Sequence, residues 1–589
     1  RPPRSTLFPY TTLFRSLSLA EQVAQMVVVR ASGYLFDHQI QYPIWEPPAE
    51  QLQRWLQELG IGGVILLGGS AVELALRSKQ LQEWAKIPLL IAADIEEGVG
   101  QRFAGATWFP PPMALGAIAQ NDPEPALQYV RTMGEITATE ALAIGINWIL
   151  APVVDVNNNS QNPVINVRSF GDNPQIVSQL ASAFIQGTRP YPVLTTAKHF
   201  PGHGDTATDS HLDLPVLPHS PPRLATVELP PFTNAIAAGV DAIMTAHLLI
   251  TAWDDQHPAT LSERILTQLL RTDLGFEGLI VTDALVMGAI ANRYGADEAT
   301  VMAVEAGADI LLMPVNPETA IEAVCQAVEQ GRISRERIQA SVERISRAKR
   351  KVGYHCQREG LDEHSAAQQI PSLQNPPSQP VLESSLDDDP AQQPITFQPN
   401  PNWLSQLSQP TTLTTVVDIL QASQITRGFL ALSSIPSSSN QPLRNLILVD
   451  DLLGCDFLGQ HTPAVALPRR LGYKLQLVDS HTTLPSEVVD NPVGAKTTLL
   501  QLFIRGNPFR GSAGLTAVAR AWLKMLLKTG DLQALVIYGS PYVLEQFLPE
   551  LPPETPYVFS YGQMPAAQAI ALEALLPESS TIDTFVRFI

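Results

Sequence analysis

Eight short apolar runs recur between Leu17 and Gly353 of this 589-residue chain, and amphipathic stretches of helical period separate several of them. Apolar strands that are bounded by turns and followed by helices are typical of parallel βα units. Eight such units predict an α/β protein with a (β/α)8 TIM-type barrel, and a doubly wound open sheet is the alternative. The runs are QMVVV near Met26, GGVILL near Val64, PLLIAAD ending at Asp94, INWILAPV near Ile149, VLTTAKH ending near His199, DAIMTAH ending at His247, GLIVTD ending at Asp283 and ADILLMP ending near Pro314.

Composition divides the chain into four parts. Arg1–Ser16 reads as the translation of a sequencing-adapter oligonucleotide, so we expect it to be an artefact and exclude it from the fold. Residues 17–353 form the predicted barrel. Residues 354–400 are rich in Pro, Gln and Ser, which predicts an extended linker. Residues 401–589 contain further apolar runs with helices between them and predict a second, smaller α/β domain.

Charge and cysteine content exclude several classes of protein. The net charge of −19 makes a nucleic-acid or anionic-membrane partner a poor expectation. The basic run Arg347–Lys351 ends a predicted helix, where its cations would complement the helix dipole. The three scattered cysteines argue against a disulfide framework, and no apolar run approaches the roughly 18 to 20 residues of a membrane span.

Location follows less directly from the sequence. A cytoplasmic location is the expectation, and the absence of a signal peptide here says little about it. An artefactual Arg1–Ser16 would have replaced the native N-terminus and any signal within it, so a periplasmic or secreted location stays open. The sequence predicts no oligomeric state.

Ionisable residues follow the predicted strands at the points where the strands end. Because the carboxyl ends of barrel strands meet at one face, these residues predict one shared site. They are Asp94, Asp155, Lys198, His199, His247 and Asp283.

The loop KHFPGHGDTATDSH, Lys198–His211, crowds three histidines, two aspartates and a lysine into fourteen residues. A metal site could use the histidines and aspartates, although their spacing is not that of a helical H-E-x-x-H. A phosphate cradle could use the backbone of Gly202 and Gly204, although the loop lacks the G-x-x-x-x-G-K-[ST] pattern. An acid/base pair is the third interpretation and fits best.

The pair would consist of Asp209 and His211. They are two residues apart, so in an extended segment their side chains lie on the same face. The aspartate can fix the imidazole tautomer, and the other ring nitrogen can then deliver and retrieve a proton near neutral pH. Asp283, at a strand end, could be a nucleophilic carboxylate. Glycoside hydrolysis usually uses two carboxyl groups, and here a His–Asp pair would replace one of them.

The pattern K-H-F-P-G-H-G-D-T-x-x-D-S-H resembles the loop of glycoside hydrolase family three, in its β-N-acetylglucosaminidase branch. The resemblance implies that His211 is the general acid/base and that Asp209 assists it. It also implies that Asp283, in the T-D-x-L-x-M-G-A-I segment, is the nucleophile. β-Glucosidases of the family take their acid from the second domain and lack this loop.

Further segments of the resemblance concern sugar binding. NPVINVRSFGDNP is similar to the segment whose arginine binds the sugar, here Arg168. Lys198 and His199 match residues that hold sugar hydroxyls. In IAADIEEGVGQRF, Asp94 and Arg102 keep the places of two residues that contact the non-reducing sugar.

The same segment also departs from the family, which usually has D-Q-E-G-G-R-V-Q-R-F. The differing residues are Ile95, Glu97, Val99 and Gly100. The resemblance spans nearly all of Leu17–Gly353. It continues more weakly into the C-terminal part, which is similar to the α/β sandwich domain of longer family members.

The resemblance implies a retaining exo-β-N-acetylglucosaminidase that needs no cofactor and no metal. Its expected substrate is a carbohydrate, an N-acetylglucosaminyl glycan derived from peptidoglycan in cell-wall turnover or recycling. A β-N-acetylglucosaminide phosphorylase, a non-catalytic glycan-binding protein and a metal hydrolase are the alternatives.

Overall fold

A computed structural model describes most of the chain as two sheets with helices packed around them. The described residues are 14, 16–210, 213–353, 403–430, 443–449, 455, 457–479, 497–505 and 517–576. Most of the expected artefact at the N-terminus and the whole of the linker predicted over 354–400 lie outside these residues.

The first sheet is an eight-stranded parallel barrel, and each strand coincides with one of the predicted apolar runs. Each strand pairs with the next along the chain, β8 pairs with β1, and a bridge between Val281 and Ile310 joins β7 to β8 and closes the barrel. The predicted fold class is therefore confirmed. The strands are β1 Val27–Ser32, β2 Gly63–Leu67, β3 Leu90–Ala93, β4 Trp148–Ile149, β5 Leu194–Phe200, β6 Ala242–Thr245, β7 Leu279–Val281 and β8 Leu311–Leu312.

Helices surround the barrel. The α-helices span Leu19–Gln25, Ala49–Arg54, Ala71–Trp84, Pro112–Asn121, Pro123–Ala143, Pro174–Thr188, Pro221–Thr226, Leu229–Ala238, Gly288–Tyr294, Ala296–Ala306, Pro317–Glu329 and Arg335–Lys351. The amphipathic segment after β6 winds as a π-helix over Arg264–Asp273. A short parallel pair, Val216–Leu217 with Leu249–Ile250, lies outside the barrel sheet. Within the described residues, no helix combines the length and apolarity needed to cross a bilayer.

Side chains that precede three strands bind the backbone of the neighbouring strand at the amino end of the barrel. The Asn147 side-chain oxygen accepts from a β3 N–H at 2.8 Å. The Asp241 carboxylate accepts from a β5 N–H at 3.0 Å, and the Asp309 carboxylate accepts from a β7 N–H at 3.0 Å. These bonds supplement ladders that are short, since β4 and β8 have two residues each.

Asp309 also gathers three arginines at this end. Its carboxylate is fully buried and lies 2.7 Å from Arg271 Nη2 and 3.0 Å from Arg344 Nη1. The third, Arg337, approaches to 3.5 Å, and Ser341 Oγ donates at 2.6 Å. Because a buried carboxylate must be compensated, this cluster links the π-helix, β7, β8 and the last barrel helix.

The second sheet has six strands in the order β9-β14-β13-β12-β10-β11, and β9 alone of these runs antiparallel. Alternate residues of β10 enter two separate apolar cores, so helices cover both faces of the sheet, as in an α/β sandwich. The strands are β9 Ile425–Arg427, β10 Arg444–Val449, β11 Lys474–Val478, β12 Thr498–Ile504, β13 Leu532–Gly539 and β14 Tyr557–Ser560. The α-helices are Pro410–Ser423, Pro463–Arg470, Ala517–Thr529, Pro541–Phe547 and Pro565–Leu575.

The basic run at the end of the last barrel helix differs from its prediction. Lys349 does not lie in solvent near the helix dipole: it is fully buried, and its Nζ donates to Gln25 Oε1 at 2.7 Å. Burial lowers the pKa of Lys349 to about 7. Lys351, two residues further along the chain, is partly exposed, and its Nζ lies 2.6 Å from Asp241 Oδ1.

We expect this lysine to make stability depend on pH. In the unfolded chain Lys349 binds its proton up to a pKa of about 10.4, whereas in the folded protein it releases it near 7. Between these values the unfolded state binds more protons, so the free energy of unfolding rises with pH, by on the order of 5 kcal/mol at most. Thermal unfolding of wild type and Lys349→Met from pH 6.5 to pH 9.5 measures this effect. The stability of wild type relative to the variant should increase as pH rises.

Lys351→Met is the matched control, because its side chain is partly in solvent and ion-paired. The difference between that variant and wild type should change little over the same range. Parallel pH profiles for wild type and Lys349→Met would contradict the expectation.

Candidate active site

A network of four charged groups lies at the carboxyl ends of β3 and β5. The Lys198 side chain is 1% exposed, and its Nζ lies 2.7 Å from both Asp94 Oδ1 and Glu96 Oε1. Arg168 donates to the same Glu96 carboxylate as a fork, from Nε at 2.8 Å and Nη2 at 2.7 Å. Two cations and two carboxylates therefore balance one another at the mouth of the barrel.

Electrostatics keep Glu96 and Lys198 ionised. Burial alone would raise the pKa of Glu96, but the charges of Arg168 and Lys198 hold it well below its usual range. Burial alone would lower the pKa of Lys198, but Asp94 and Glu96 raise it above its ordinary value. The network thus presents fixed charges near neutral pH.

Asp94 and Arg168 are the members of the network that stay accessible, with side chains 34% and 19% exposed. Arg168 Nη1 also donates to the Val164 carbonyl at 3.0 Å. Arg102, a predicted sugar-binding residue, is exposed, and its Nε donates to the Asp94 carbonyl at 3.0 Å. The structure therefore brings Asp94, Arg102, Arg168 and Lys198 together at the carboxyl end of the barrel.

Asp155, which follows β4, fixes the start of the loop after β5. One of its oxygens lies 2.8 Å from His199 Nδ1, and the other accepts from the backbone N–H groups of His199 and His203 at 3.1 and 2.7 Å. Burial by itself would raise the pKa of Asp155, but the histidine contacts lower it. An ionised Asp155 thus orients the His199 ring.

His203 ties the two ends of the loop together. Its Nδ1 lies 3.0 Å from Thr206 Oγ1 and its Nε2 lies 3.0 Å from Ser210 Oγ. Burial lowers its pKa to about 4, although the charges of Asp155 and Asp283 oppose the shift. His203 is therefore neutral at pH 7, and Asp283 lies close enough to act on it electrostatically.

Asp209, one member of the predicted acid/base pair, lies next to these contacts. Asp209 is 2% exposed, and its carbonyl accepts from the Asp213 N–H at 3.0 Å. His211 lies outside the described residues. The position of Asp209 beside Ser210 connects it, through His203, to the same end of the barrel as Asp283.

Asp283 follows β7 and is partly exposed. Its Oδ1 accepts from the Ala284 N–H at 2.8 Å. The buried His247, which follows β6, lies with Nε2 3.1 Å from the Ala284 carbonyl and Nδ1 2.8 Å from Thr260 Oγ1. His247 thus supports the backbone that carries Asp283.

The glycines of the loop are close-packed. A Cβ on Gly204 would lie 1.7 Å from the Val156 carbonyl oxygen, and Gly202 has a φ of 131°. The loop after β5 therefore lies with its backbone directly against the loop after β4. These glycines permit the close approach of the two backbones.

The second domain reaches the barrel mouth at two points. Arg505, which follows β12, lies with Nη2 2.6 Å from Oε1 of Glu97, and Trp108 Nε1 donates to the other oxygen of that carboxylate at 2.9 Å. Tyr542 lies with its hydroxyl 2.8 Å from Asn157 Nδ2, in the loop after β4. The carboxyl ends of the two sheets therefore face each other.

Some of these residues were not predicted. Glu96 was missed as a site residue, although it occupies the glutamate position of the D-Q-E-G pattern. Glu97 and Arg505 are 408 residues apart, and no sequence signal links them. In the part of the chain that the structure describes, no three His, Cys, Asp or Glu side chains converge as a metal site would require.

Comparison with known proteins identifies the family. The glycosyl hydrolase family 3 N-terminal domain matches residues 18–348, and the bacterial glycosyl hydrolase family 3 C-terminal domain matches residues 436–577. The chain is 36% identical to beta-hexosaminidase A of Pseudoalteromonas piscicida over 52% of its length and 56% of that protein's length. It is 41% identical to a beta-hexosaminidase of Tolumonas auensis over 43% of its length and 75% of that protein's.

Solved structures resemble both domains together. A glycoside hydrolase family 3 beta-N-acetylglucosaminidase from Paenibacillus sp. superposes with a TM-score of 0.72 at 28% identity, over 95% of this chain and 97% of that one. A beta-glucoside phosphorylase shares the fold, with a TM-score of 0.74 at 20% identity over 96% of this chain and 93% of that one. The N-terminal domain of the family matches residues 18–348, which is more than half of the chain, and the chain therefore belongs to glycosyl hydrolase family 3.

Proposed function

We propose that this protein is a retaining exo-β-N-acetylglucosaminidase that removes terminal β-linked N-acetylglucosamine. One observation supports the proposal: Asp209 and Ser210, joined to His203 in the loop after β5, lie at the same carboxyl end of the barrel as the strand-end carboxylate of Asp283, where catalytic groups of this fold collect. Support also comes from relatives that are named beta-hexosaminidases and from one named beta-N-acetylglucosaminidase/beta-glucosidase. This chain spans slightly more than half the length of the first two of these relatives.

In the first step, the Asp283 carboxylate attacks the anomeric carbon and forms a covalent glycosyl-enzyme. The bond between that carbon and the leaving oxygen breaks, and His211, as imidazolium, protonates the oxygen. A partly exposed carboxylate at the end of a rigid strand suits this role, because a nucleophile needs access and a fixed orientation.

In the second step, neutral His211 takes a proton from water, whose oxygen attacks the anomeric carbon and releases Asp283. Two attacks on opposite faces give net retention of configuration. Asp209, which is buried, would hold the imidazole tautomer and stabilise the imidazolium in both steps. The part of His211 rests on the sequence motif.

The charged network would hold the sugar. Asp94 and Arg168 are accessible and already fixed by their partners, so little side-chain freedom is lost when hydroxyls bind. Lys198 and His199 would contact further hydroxyls, and Arg102 would support Asp94. We also propose that the natural substrates are N-acetylglucosaminyl glycans from peptidoglycan, which release of N-acetylglucosamine from purified muropeptides would test.

The assay is release of 4-nitrophenol from its β-N-acetylglucosaminide. We expect Asp283→Asn to lose about 10³-fold or more in kcat, because the nucleophile is removed. His211→Ala should lose about 10²- to 10⁴-fold, and Asp209→Asn should also reduce kcat. The first anomer of N-acetylglucosamine formed, followed by NMR, should be β.

Asp255→Asn and His38→Ala are matched controls, because both side chains are exposed, Asp255 bonds to Gln256 and His38 stacks on Phe36. They should keep wild-type turnover. The same assay with phosphate and with chelator separates the alternatives. Turnover that requires phosphate indicates a phosphorylase, turnover lost to chelator indicates a metal hydrolase, and a folded wild type without turnover but with sugar binding indicates a glycan-binding protein.

Glu96→Gln tests the charged network. The substitution removes the carboxylate that Lys198 and Arg168 share, so Arg168 loses its paired carboxylate and Lys198 keeps only Asp94. We expect the free energy of unfolding to fall by about 3–5 kcal/mol, as when one member of a buried ion pair is deleted. We also expect KM to rise, since both cations would contact the sugar. Thermal unfolding and the 4-nitrophenol assay measure the two effects.

Glu83→Gln is the control for this change, because Glu83 is 63% exposed and faces Lys79 at 3.8 Å. It should alter stability by less than about 1 kcal/mol. Equal, small effects of the two substitutions would contradict the structural role assigned to Glu96.

A further inference from the structure

We propose that Arg505, on the second domain, is a positioning residue for sugar binding in the barrel, and that it acts through Glu97. The inference rests on the proposed function, because it concerns the same site. The second domain would then support sugar binding in the barrel without supplying a catalytic group.

The contact is a buried, forked ion pair. Glu97 is 1% exposed, and Arg505 reaches both of its oxygens, from Nη2 at 2.6 Å and Nη1 at 3.4 Å. Trp108 completes the set with an Nε1 donor at 2.9 Å. A carboxylate this deep needs a compensating charge, and here the charge comes from the other domain.

The neighbouring residue carries the effect to the site. Glu96 turns towards Lys198 and Arg168, whereas Glu97, the next residue, turns towards Arg505. The Glu97 carbonyl accepts from the Phe109 N–H at 2.7 Å, which ties this turn to the rest of its loop. A shift of Glu97 would therefore move the carboxylate that holds both sugar-binding cations.

Arg505 has a rigid base. It follows β12 directly, and the Ile504 carbonyl accepts from the Ser540 N–H at 2.9 Å. A Cβ on Gly539 would lie 2.3 Å from that carbonyl oxygen, so the ends of β12 and β13 are tightly packed. The guanidinium thus reaches Glu97 from a fixed point.

Glu97 is also one of the residues that depart from the family pattern, which has glycine at this position. A buried glutamate without a compensating charge would be unfavourable in place of glycine, and the Arg505 guanidinium supplies that charge. The substitution and its partner are therefore expected to behave as one unit.

The test uses the full chain with Arg505→Gln, Glu97→Gln and the double variant. Arg505→Gln leaves Glu97 buried and uncompensated, so the loop should shift towards water, and kcat/KM should fall about tenfold or more with KM raised. Glu97→Gln should be milder. The double variant buries no charge, so its kcat/KM should exceed that of Arg505→Gln and return to within a few-fold of wild type.

Arg427→Gln is the matched control. The Arg427 guanidinium bonds to the Pro552 and Thr555 carbonyls inside the second domain, so the variant perturbs that domain without touching the barrel. It should leave kcat/KM at the wild-type value. A loss equal to that of Arg505→Gln would overturn the inference, as would a double variant as impaired as Arg505→Gln.

Hydrogen exchange supplies a readout that does not depend on activity. Backbone exchange over residues 94–109 should rise in Arg505→Gln and fall back in the double variant. Unchanged exchange in Arg505→Gln would overturn the inference. If wild type has no turnover, the proposed function fails, and the exchange data still decide whether Arg505 positions this loop.

Discussion

The barrel depends on side-chain hydrogen bonds that hold very short parallel strands together at their amino ends. Two of the eight barrel strands have two residues each, and ladders of that length provide few hydrogen bonds. Asn147, Asp241 and Asp309 add side-chain bonds to neighbouring strands at this end. The opposite end is then free to carry chemistry, because the groups there project from strands whose positions are already fixed. Stability and function thus occupy opposite ends of one barrel.

Much of the fold could be predicted because buried parallel strands are apolar on both faces. All eight barrel strands and four strands of the second sheet lie within apolar runs of the sequence. The strands Ile425–Arg427 and Lys474–Val478 could not be found in this way. They are the two edges of the second sheet and are largely exposed, so their sequences carry polar side chains and no apolar run.

The site was predictable where its residues form a local motif or follow predicted barrel strands, and not where it depends on contact between the two domains. The loop that ends in D-S-H could be recognised from its composition. Lys198 and Asp94 were expected at strand ends, and their side chains do meet. The pairing of Glu97 with Arg505 depends on how two domains pack. The burial of Lys349 was missed for a related reason. The sequence of a basic run does not show whether a given lysine faces water or a buried amide such as that of Gln25.

The close approach at Gly204 limits how the site can change. Where the loops after β4 and β5 touch, backbone meets backbone, and even a methyl group would overlap the Val156 carbonyl. The contact there has no side chain to trim or enlarge. Variation in the shape of this end of the barrel, by natural divergence or by engineering, must therefore arise where side chains line the loops. The loop after β3, whose Ile95 and Glu97 depart from the family pattern, is such a place.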